Sequence, residues 1–437
     1  MDSETIMRLG RAAAHVFGKK GRRSRVVIGK DTRLSGYMLE TALETGIASM
    51  GVDVLLVGPL PTPGVAFMTL SMRADAGIMI SASHNPYEDN GIKFFGADGF
   101  KLADQTEDEI ERLMKPGHLD GMRAAPDRIG KMYRIDDATG RYVVYLKSCL
   151  DKSTKFDGMK LVLDLSNGAG YRVAPTLLRE LGAEVETIGD KPDGKNINLD
   201  CGSTHPEKIS QKVRETGAFC GIAFDGDADR VIFCDENGDI VDGDLILAIC
   251  ALELKKQGKL VGDTLVGTVM SNLGLENALQ KQGIALVRSD VGDRHVLAEM
   301  MSRGLYLGGE QSGHVIFLEH NTTGDGILTA IMLLEVLQKS QKPLSYYQKL
   351  LERYPQLLIN IPVRAKPAFE TIPAVSKALA DVEAELGSIG RVLLRYSGTE
   401  KKARVMVECE DSALCKKTAE YLASVVEEEI GLNSASK

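Results

Sequence analysis

The sequence predicts an α/β protein with three similar α/β units and a smaller α+β unit at its C-terminal end. Short apolar runs that stop at glycine or at polar loops alternate with stretches of helical periodicity, which indicates helices layered on largely parallel sheets. The same order of strand, polar loop and helix begins again near residues 160 and 265. Each of the three units therefore has the size of an ordinary domain.

The elements of the first unit follow from its apolar runs. Residues 26–28 predict a buried strand that ends at Gly29, and residues 37–50 have apolar positions at helical spacing. Residues 54–57 and 76–80 predict two further strands, of which the second leads into a polar loop.

The later units begin in the same way, with a strand at 161–163 before a glycine-rich turn at 166–170, and with a strand at 265–269. The last unit predicts strand, helix, strand, strand and helix at residues 358–363, 368–386, 391–395, 403–409 and 412–429. We predict domains at residues 1–135, 136–238, 239–350 and 351–437.

Composition excludes several classes of protein. The 437 residues are 43% hydrophobic and carry a net charge of −8, which argues against a nucleic-acid-binding surface but leaves room for a local basic pocket. The seven cysteines are irregularly spaced, so we expect free thiols in a reducing compartment. No secretory signal and no apolar run long enough to span a bilayer is evident. A cytoplasmic protein without a membrane partner is expected.

The motif at residues 225–230 offers three carboxylates, from Asp225, Asp227 and Asp229. On a loop bent at Gly226 they can converge on one hard cation, and oxygen ligands beside a phosphate suit Mg²⁺. A solvated acidic turn is the alternative. An EF-hand would place Glu236 correctly, but it requires glycine where Arg230 stands and helices where strands are predicted.

Three further polar loops follow predicted strands. Ser83 lies where α/β domains usually bind ligands, without the GxSxG pattern of hydrolases. The loop at 308–314 offers Glu310 and Ser312 for sugar hydroxyls and His314 as a proton shuttle. The turn at 395–400 combines an arginine, hydroxyls and glycine, as a phosphate-binding turn does. An ordinary loop serine, a polar turn and a hairpin turn are the respective alternatives.

The motifs Ser-His-Asn-Pro, Asp-Gly-Asp-Ala-Asp-Arg, Gly-Glu-Gln-Ser-Gly-His and Arg-Tyr-Ser-Gly-Thr-Glu, in this order, resemble the α-D-phosphohexomutase superfamily. The resemblance covers nearly the whole chain. It implies three similar α/β mixed-sheet domains plus a smaller C-terminal α+β domain around a central cleft, with one motif from each domain.

The resemblance also implies roles for individual residues. Ser83 would carry a phosphoryl group, and its phosphate oxygen would hold one Mg²⁺ per chain together with Asp225, Asp227 and Asp229. The implied catalytic residues are Ser83, His84, Lys93 and His314, of which Lys93 and His314 would transfer protons and neutralise charge. The implied substrate-binding residues are Arg230, Glu310, Ser312, Arg395, Ser397, Gly398, Thr399 and Arg404.

Residues 81–95, 198–204, 267–272 and Gln311 are similar to the phosphoglucosamine mutase branch of the superfamily. That resemblance implies interconversion of glucosamine-6-phosphate and glucosamine-1-phosphate through a bisphosphorylated sugar, for UDP-N-acetylglucosamine synthesis. It further implies glucosamine or glucose 1,6-bisphosphate as activator and a homodimer. The alternatives are a phosphomannomutase/phosphoglucomutase and an inactive sugar-phosphate-binding relative.

The sequence departs from the family pattern in two places. Relatives usually begin with a strand like Phe-Gly-Thr-Asp-Gly-Ile-Arg-Gly, whose arginine enters the active site, whereas this sequence begins at Met1 with the stretch that follows it. The absence of roughly fifteen to twenty residues predicts an uncovered strand edge in the first domain and leaves full activity to be tested. Lys401 replaces a frequent proline, and we expect only a local change in that turn.

Overall fold

The computed structural model describes residues 1–19, 21–398 and 400–432. Two compact units are present. The larger unit comprises Met1–Thr268 and Ser289–Lys349, and the smaller comprises Val269–Arg288 and Leu350–Lys437.

The α-helices of the described residues are α1 (Ser3–Phe17), α2 (Ser35–Ser49), α3 (Thr62–Ser71), α4 (Asp104–Met114), α5 (Ala138–Ser148), α6 (Val173–Glu180), α7 (Glu207–Thr216), α8 (Gly243–Lys256), α9 (Leu273–Lys281), α10 (Asp293–Arg303), α11 (Gly326–Ser340), α12 (Pro373–Leu386) and α13 (Ser412–Ile430). The strands are β1 (Arg25–Lys30), β2 (Asp53–Pro59), β3 (Ala76–Ile80), β4 (Ile92–Gly96), β5 (Met132–Arg134), β6 (Lys160–Asp164), β7 (Glu184–Ile188), β8 (Cys220–Phe224), β9 (Val231–Cys234), β10 (Ile240–Val241), β11 (Thr264–Thr268), β12 (Ala285–Ser289), β13 (Leu307–Gly309), β14 (Val315–Phe317), β15 (Gln356–Pro362), β16 (Gly390–Tyr396) and β17 (Lys402–Cys409).

The first sheet has the strand order β4-β3-β1-β2-β5 and is mixed, because β4 runs antiparallel to β3 while the other pairs are parallel. Its central strands are apolar and buried on both faces, as expected for strands covered by helices. Lys30 at the end of β1 pairs with Ile80 at the end of β3. The loops that follow these two strands therefore start side by side.

The second sheet has the order β10-β9-β8-β6-β7, again with parallel and antiparallel pairs. Strands β8 and β9 form an antiparallel pair that ends at Phe224 and Val231. The acidic motif is the connection between these two residues. In the third domain β13 pairs in parallel with β11 and antiparallel with β14, and the predicted sugar loop connects β13 to β14.

The smaller unit contains the antiparallel sheet β15-β17-β16, against which α12 and α13 pack through one apolar core. Its helix α12 begins at Pro373, five residues later than the sequence predicts, after a 3₁₀ turn at Phe369–Thr371. Proline suits the first turn of a helix because its missing N–H is not needed there. The predicted fold class, mixed α/β sheets followed by a smaller α+β unit, is confirmed.

Buried Glu408 explains why Val269–Arg288 belongs to the smaller unit. Its carboxylate accepts hydrogen bonds from Asn272 Nδ2 at 3.1 Å and from Gln356 Nε2 at 2.8 Å, and it pairs with Arg391. The side chain of Glu408 is fully buried, so these partners compensate for the removal of its charge from water.

All seven cysteines carry free thiols, as the sequence predicts. Within the part of the chain that the structure describes, no helix is both long and apolar enough to cross a membrane.

Candidate active site

Ser83 lies in the loop that follows β3, with its backbone in the left-handed region at φ 51°. This conformation is uncommon for a residue with a side chain. The Ser83 N–H donates to Ser81 Oγ at 3.0 Å. The hydroxyl of Ser83 donates to Asp225 Oδ2 at 2.6 Å, so the first and second sequence motifs meet in the fold.

The acidic loop approaches the serine loop closely at Gly226. A Cβ at this glycine would lie 2.5 Å from the carbonyl oxygen of Ser83, so a larger residue would push the two loops apart. The sequence predicts that Gly226 supplies the bend of the loop, and Gly226 lies in a turn between β8 and β9. In the structure the left-handed backbone belongs to Ala228, at φ 54°.

Asp225, Asp227 and Asp229 are buried, and ligand oxygens from the three carboxylates lie within 4.8 Å of one another. Asp227 Oδ1 and Asp229 Oδ1 accept no hydrogen bond within the described residues. A buried carboxylate oxygen without a partner is costly, and a hard cation would satisfy it. The donor set therefore fits Mg²⁺, and the flanking strands exclude an EF-hand.

Lys93 on β4 is the cation that contacts this cluster, with Nζ 2.6 Å from Asp227 Oδ2 and 3.1 Å from Asp229 Oδ2. Burial opposes its charge, but the two carboxylates outweigh that effect and raise the pKa of Lys93. Burial would raise the pKa of Asp229, but the positive charges nearby, above all that of Lys93, together outweigh burial and lower that pKa. Burial and the neighbouring carboxylates of Asp229 and Asp227 raise the pKa of Asp225.

His84 and Arg230 contact each other beside the serine. A guanidinium nitrogen of Arg230 approaches His84 Nδ1, and the Ser83 hydroxyl lies 3.4 Å from the same nitrogen. Arginine can only donate, so Nδ1 acts as an acceptor and the imidazole is neutral. The surrounding protein and the charge of Arg230 both lower the pKa of His84, in agreement with that assignment.

In the predicted sugar loop, Glu310 Oε1 accepts a hydrogen bond from the Gly292 N–H at 3.0 Å, and Ser312 Oγ lies 3.5 Å from Glu310 Oε2. His314 is only 1% exposed, and its Nε2 lies 3.8 Å from Asp293 Oδ2. Burial lowers its pKa, although Asp229 and Asp293 oppose the shift. The role of His314 in proton transfer stays a prediction.

The predicted phosphate-binding turn belongs to the smaller unit. Arg395 on β16 lies directly opposite Arg404 on β17, and like charges in this position destabilise a sheet. Ser397 is buried, its N–H donates to the Lys402 carbonyl, and its Oγ accepts from the Glu400 N–H at 3.2 Å.

Gly398 is exposed, and a Cβ there would meet no described atom within 4 Å. Nothing in the described part of the protein itself therefore requires glycine at this position. Thr399, the remaining residue predicted for this turn, lies outside the described residues.

Sequence reasoning missed two groups that fix the site. Thr62, after β2, bonds Asp227 with its hydroxyl and with its N–H, the latter at 3.0 Å to the carbonyl oxygen. Asn198 Nδ2 donates to the carbonyl oxygens of Ser83 and Asn85 at 2.9 and 3.0 Å. Thr62 lies just beyond the carboxyl end of a strand, as Ser83 does. The criterion that identified Ser83 in the sequence could therefore have identified Thr62 as well.

Family models cover all four domains of the chain. The sequence matches the alpha/beta/alpha domains I, II and III of the phosphoglucomutase/phosphomannomutase models over residues 1–119, 140–238 and 242–354. It matches the C-terminal domain of the same models over residues 358–425.

The phosphoglucosamine mutase of Syntrophotalea carbinolica is 56% identical over 435 residues, which are 99% of this chain and 95% of the relative. The chain belongs to the phosphoglucosamine mutase family. Phosphoglucosamine mutase from Geobacter sp. strain M21 is also 56% identical, with the same shares of both chains covered. Members of this family are isomerases that transfer a phosphoryl group within a sugar phosphate, and the two alternative functions predicted from the sequence are not favoured.

Solved structures agree on the fold. A phosphoglucomutase/phosphomannomutase family protein from Burkholderia thailandensis has a TM-score of 0.79 at 25% identity, over 98% of this chain and 94% of that chain. N-acetylphosphoglucosamine mutase from Aspergillus fumigatus, solved with GlcNAc-6P and magnesium, has a TM-score of 0.65 at 17% identity, over 94% of this chain and 84% of that chain. Phosphohexomutases generally use Mg²⁺ and a bisphosphorylated sugar activator, and the buried acidic triad here suits the Mg²⁺ ion.

Proposed function

We propose that this phosphoglucosamine mutase interconverts glucosamine-6-phosphate and glucosamine-1-phosphate by carrying a phosphoryl group on Ser83. The observation that supports Ser83 most directly is its hydroxyl, 2.6 Å from a carboxylate of the buried triad. A serine hydroxyl is a weak nucleophile by itself and acts in group transfer only where its surroundings assist it.

Asp225, Asp227, Asp229 and an oxygen of the phosphorylated Ser83 would hold one Mg²⁺ per chain. The ion, when bound, would neutralise charge on the phosphoryl group as it moves. Lys93 and Arg230 add fixed positive charge next to the triad. The neutral imidazole of His84 lies next to Ser83, with its acceptor nitrogen Nδ1 3.4 Å from the Ser83 hydroxyl.

The remaining predicted residues would bind the sugar phosphate. Glu310 and Ser312 would hold sugar hydroxyls. The non-reacting phosphate would be held by Arg395, Ser397, Gly398, Thr399 and Arg404. An anion placed between Arg395 and Arg404 would relieve the repulsion of two like charges that face each other across β16 and β17.

In the first transfer, the bond between Ser83 Oγ and phosphorus breaks as a sugar hydroxyl oxygen bonds to phosphorus. The hydroxyl proton passes to a nearby base, for which His314 is our candidate, while Lys93 stays charged. The bisphosphorylated sugar then reverses its orientation in the site, and its other phosphoryl group is transferred to Ser83.

Glucosamine or glucose 1,6-bisphosphate would restore phosphoserine lost to hydrolysis. The product would supply UDP-N-acetylglucosamine synthesis in the cytoplasm, and we extend the homodimer of related enzymes to this chain.

The decisive experiment measures glucosamine-1-phosphate formed from glucosamine-6-phosphate with Mg²⁺ and a trace of glucose 1,6-bisphosphate. Ser83→Ala should lose turnover, and intact mass should show one phosphoryl group on the parent but none on the variant. Glucose-6-phosphate and mannose-6-phosphate are assayed separately as alternative substrates. A parent protein that turns over either of these but not the amino sugar would contradict the assignment.

A further inference from the structure

Arg33 is one of the largest fully buried side chains of the protein and is only 1% exposed. It stands three residues beyond the end of β1, in the loop that starts beside the Ser83 loop because β1 and β3 are neighbours. A buried guanidinium always carries its charge, so it requires a carboxylate and several acceptors. The partners of Arg33 therefore indicate what the residue does.

One partner of Arg33 is the equally buried carboxylate of Asp31. Arg33 Nε donates to Asp31 Oδ2 at 2.8 Å, and the Arg33 backbone N–H donates to Oδ1 at 2.9 Å. Ser81 Oγ, at the start of the serine loop, also donates to Asp31 Oδ2 at 2.6 Å. Asp31 thus fixes the direction of the guanidinium and leaves its two terminal nitrogens for other acceptors.

Both terminal nitrogens donate to backbone carbonyls of the serine loop. Nη2 contacts the oxygens of Ser83 at 3.0 Å and Asn85 at 2.8 Å. Nη1 contacts the oxygen of Pro86 and, at 3.2 Å, that of Asp89. Four carbonyls of one seven-residue segment therefore share one guanidinium, and all five of its N–H donors are engaged.

The contacts of Arg33 stabilise a segment whose backbone conformation is unfavourable. Ser83 has a left-handed backbone at φ 51°, a conformation that persists only when the surroundings determine it. Its carbonyl and that of Asn85 also accept from Asn198 Nδ2. The conformation that brings the Ser83 hydroxyl to Asp225 is therefore held from the carbonyl side by Arg33 and Asn198.

We propose that Arg33, oriented by Asp31, is a positioning residue that holds the Ser83 loop in the geometry required for phosphoryl transfer. This inference rests on the proposed role of Ser83. Arg33 acts through the loop and not on the substrate, since its donors are all occupied by Asp31 and by the four carbonyls. Small misplacements of a reacting group are enough to lower a rate by about 10²-fold.

The test compares Arg33→Lys with Glu40→Gln. Lysine keeps the charge but offers its donors from a single point, so it cannot span four carbonyls. Glu40→Gln removes a buried ion pair with Lys30 in the same domain, at 2.6 Å, without touching the serine loop. We expect Arg33→Lys to lower kcat about 10²-fold with KM for glucosamine-6-phosphate within about threefold of the parent. Glu40→Gln should leave both constants near the parent values.

Amide hydrogen exchange of the peptide that contains residues 83–91 provides a readout that does not depend on turnover. The Asn85 and Asp89 N–H groups bond within this loop, so we expect Arg33→Lys to speed their exchange at least about tenfold, and Glu40→Gln to leave it unchanged. Asp31→Asn, which leaves the guanidinium without its anchor, should speed exchange in the same peptide and is the second variant if Arg33→Lys does not fold.

The outcomes separate the two hypotheses. Unchanged exchange and a kcat within about threefold of the parent, in Arg33→Lys or in the folded Asp31→Asn variant, would overturn the positioning role. Faster exchange in Arg33→Lys, combined with a parent protein that shows no mutase turnover, would instead count against the proposed function while supporting the role of Arg33 in the loop.

Discussion

The loops around Ser83 and the turn after Arg395 are both polar segments at the ends of strands, but the protein supports them differently. The Ser83 loop is held by contacts from distant segments of the chain, because Asp225 and Asn198 bond Ser83 and Thr62 bonds the neighbouring Asp227. In the turn, Gly398 is exposed, and Arg395 faces another arginine. The first region is held by contacts from distant segments of the chain, whereas the second combines an exposed glycine with two arginines opposite each other, an arrangement that suits the phosphate binding proposed above.

The difference in support between the Ser83 loop and the turn after Arg395 fits the roles proposed for the two regions in the reaction. A group that carries the reacting phosphoryl benefits from a fixed position, because reorganisation during the reaction would raise the barrier. A turn that binds a non-reacting phosphate, and then releases it so that the sugar can turn over, benefits from accessibility. Substitutions in the first region should therefore change kcat, and those in the second should change KM.

Among substitutions that leave Ser83 in place, the largest effect is expected from Asp227→Asn, which removes one charge from the triad. We expect kcat to fall about 10²- to 10³-fold and Mg²⁺ binding to weaken, measured by turnover and by titration calorimetry. Asp235→Asn is the matched control, because Asp235 is also fully buried in the larger unit but lies outside the triad. Equal losses of Mg²⁺ binding in both variants would contradict the assignment of the site.

Lys93→Gln separates charge from metal binding in the same region. Without Lys93 the pKa of Asp229 loses its main lowering influence, and the site loses the positive charge that contacts Asp227 and Asp229 and would repel Mg²⁺. We expect kcat to fall about 10²-fold, while the Mg²⁺ concentration for half-maximal activity stays equal or decreases. A higher Mg²⁺ requirement would show that Lys93 supports the metal site instead of neutralising the phosphoryl group.

Arg404→Gln tests the second region. Loss of a charged hydrogen bond to phosphate should raise KM about tenfold or more, with kcat nearly unchanged. The melting temperature should change little, because relief of the repulsion from Arg395 is offset by loss of the 3.4 Å contact between Arg404 and Glu400. Lys402→Gln, which removes a charge paired with Glu400 on the same hairpin, is the control and should leave KM near the parent value.

The smallest effect is expected from Gly398→Ala. The added methyl group would meet no described atom within 4 Å, and the backbone of Gly398 lies outside the left-handed region, so stability should not change. KM should rise by about threefold to tenfold if phosphate approaches the backbone at this position. Gly387→Ala is the opposite control, since Gly387 has φ 50°, and it should lower stability by about 1 kcal/mol while leaving KM unchanged.

The sequence alone determined most of the secondary structure, because strands, helices and their ends depend on local patterns of apolar residues, glycine and proline. Strand β3 agrees with its predicted range, and β16, β17 and α13 agree within one residue at each end. The four motifs were found for the same reason: each is a short run of polar residues at a strand end. The predicted start of helix α12 is wrong by five residues, because the apolar periodicity continues through the 3₁₀ turn that precedes Pro373.

The family resemblance implies that Ser83 and the acidic triad share a metal ion, but apart from that resemblance only the tertiary structure decided which of these loops meet. The bond from Ser83 to Asp225, the two contacts of Lys93 and the burial of His314 follow from strand order and from the packing of separate domains. No local pattern encodes such contacts. Arg33 is the clearest case: in the sequence it is one charged residue in a loop, and only the pairing of β1 with β3 makes it a partner of Ser83. The free energy of a buried charge depends on acceptors that the fold brings together from distant parts of the chain.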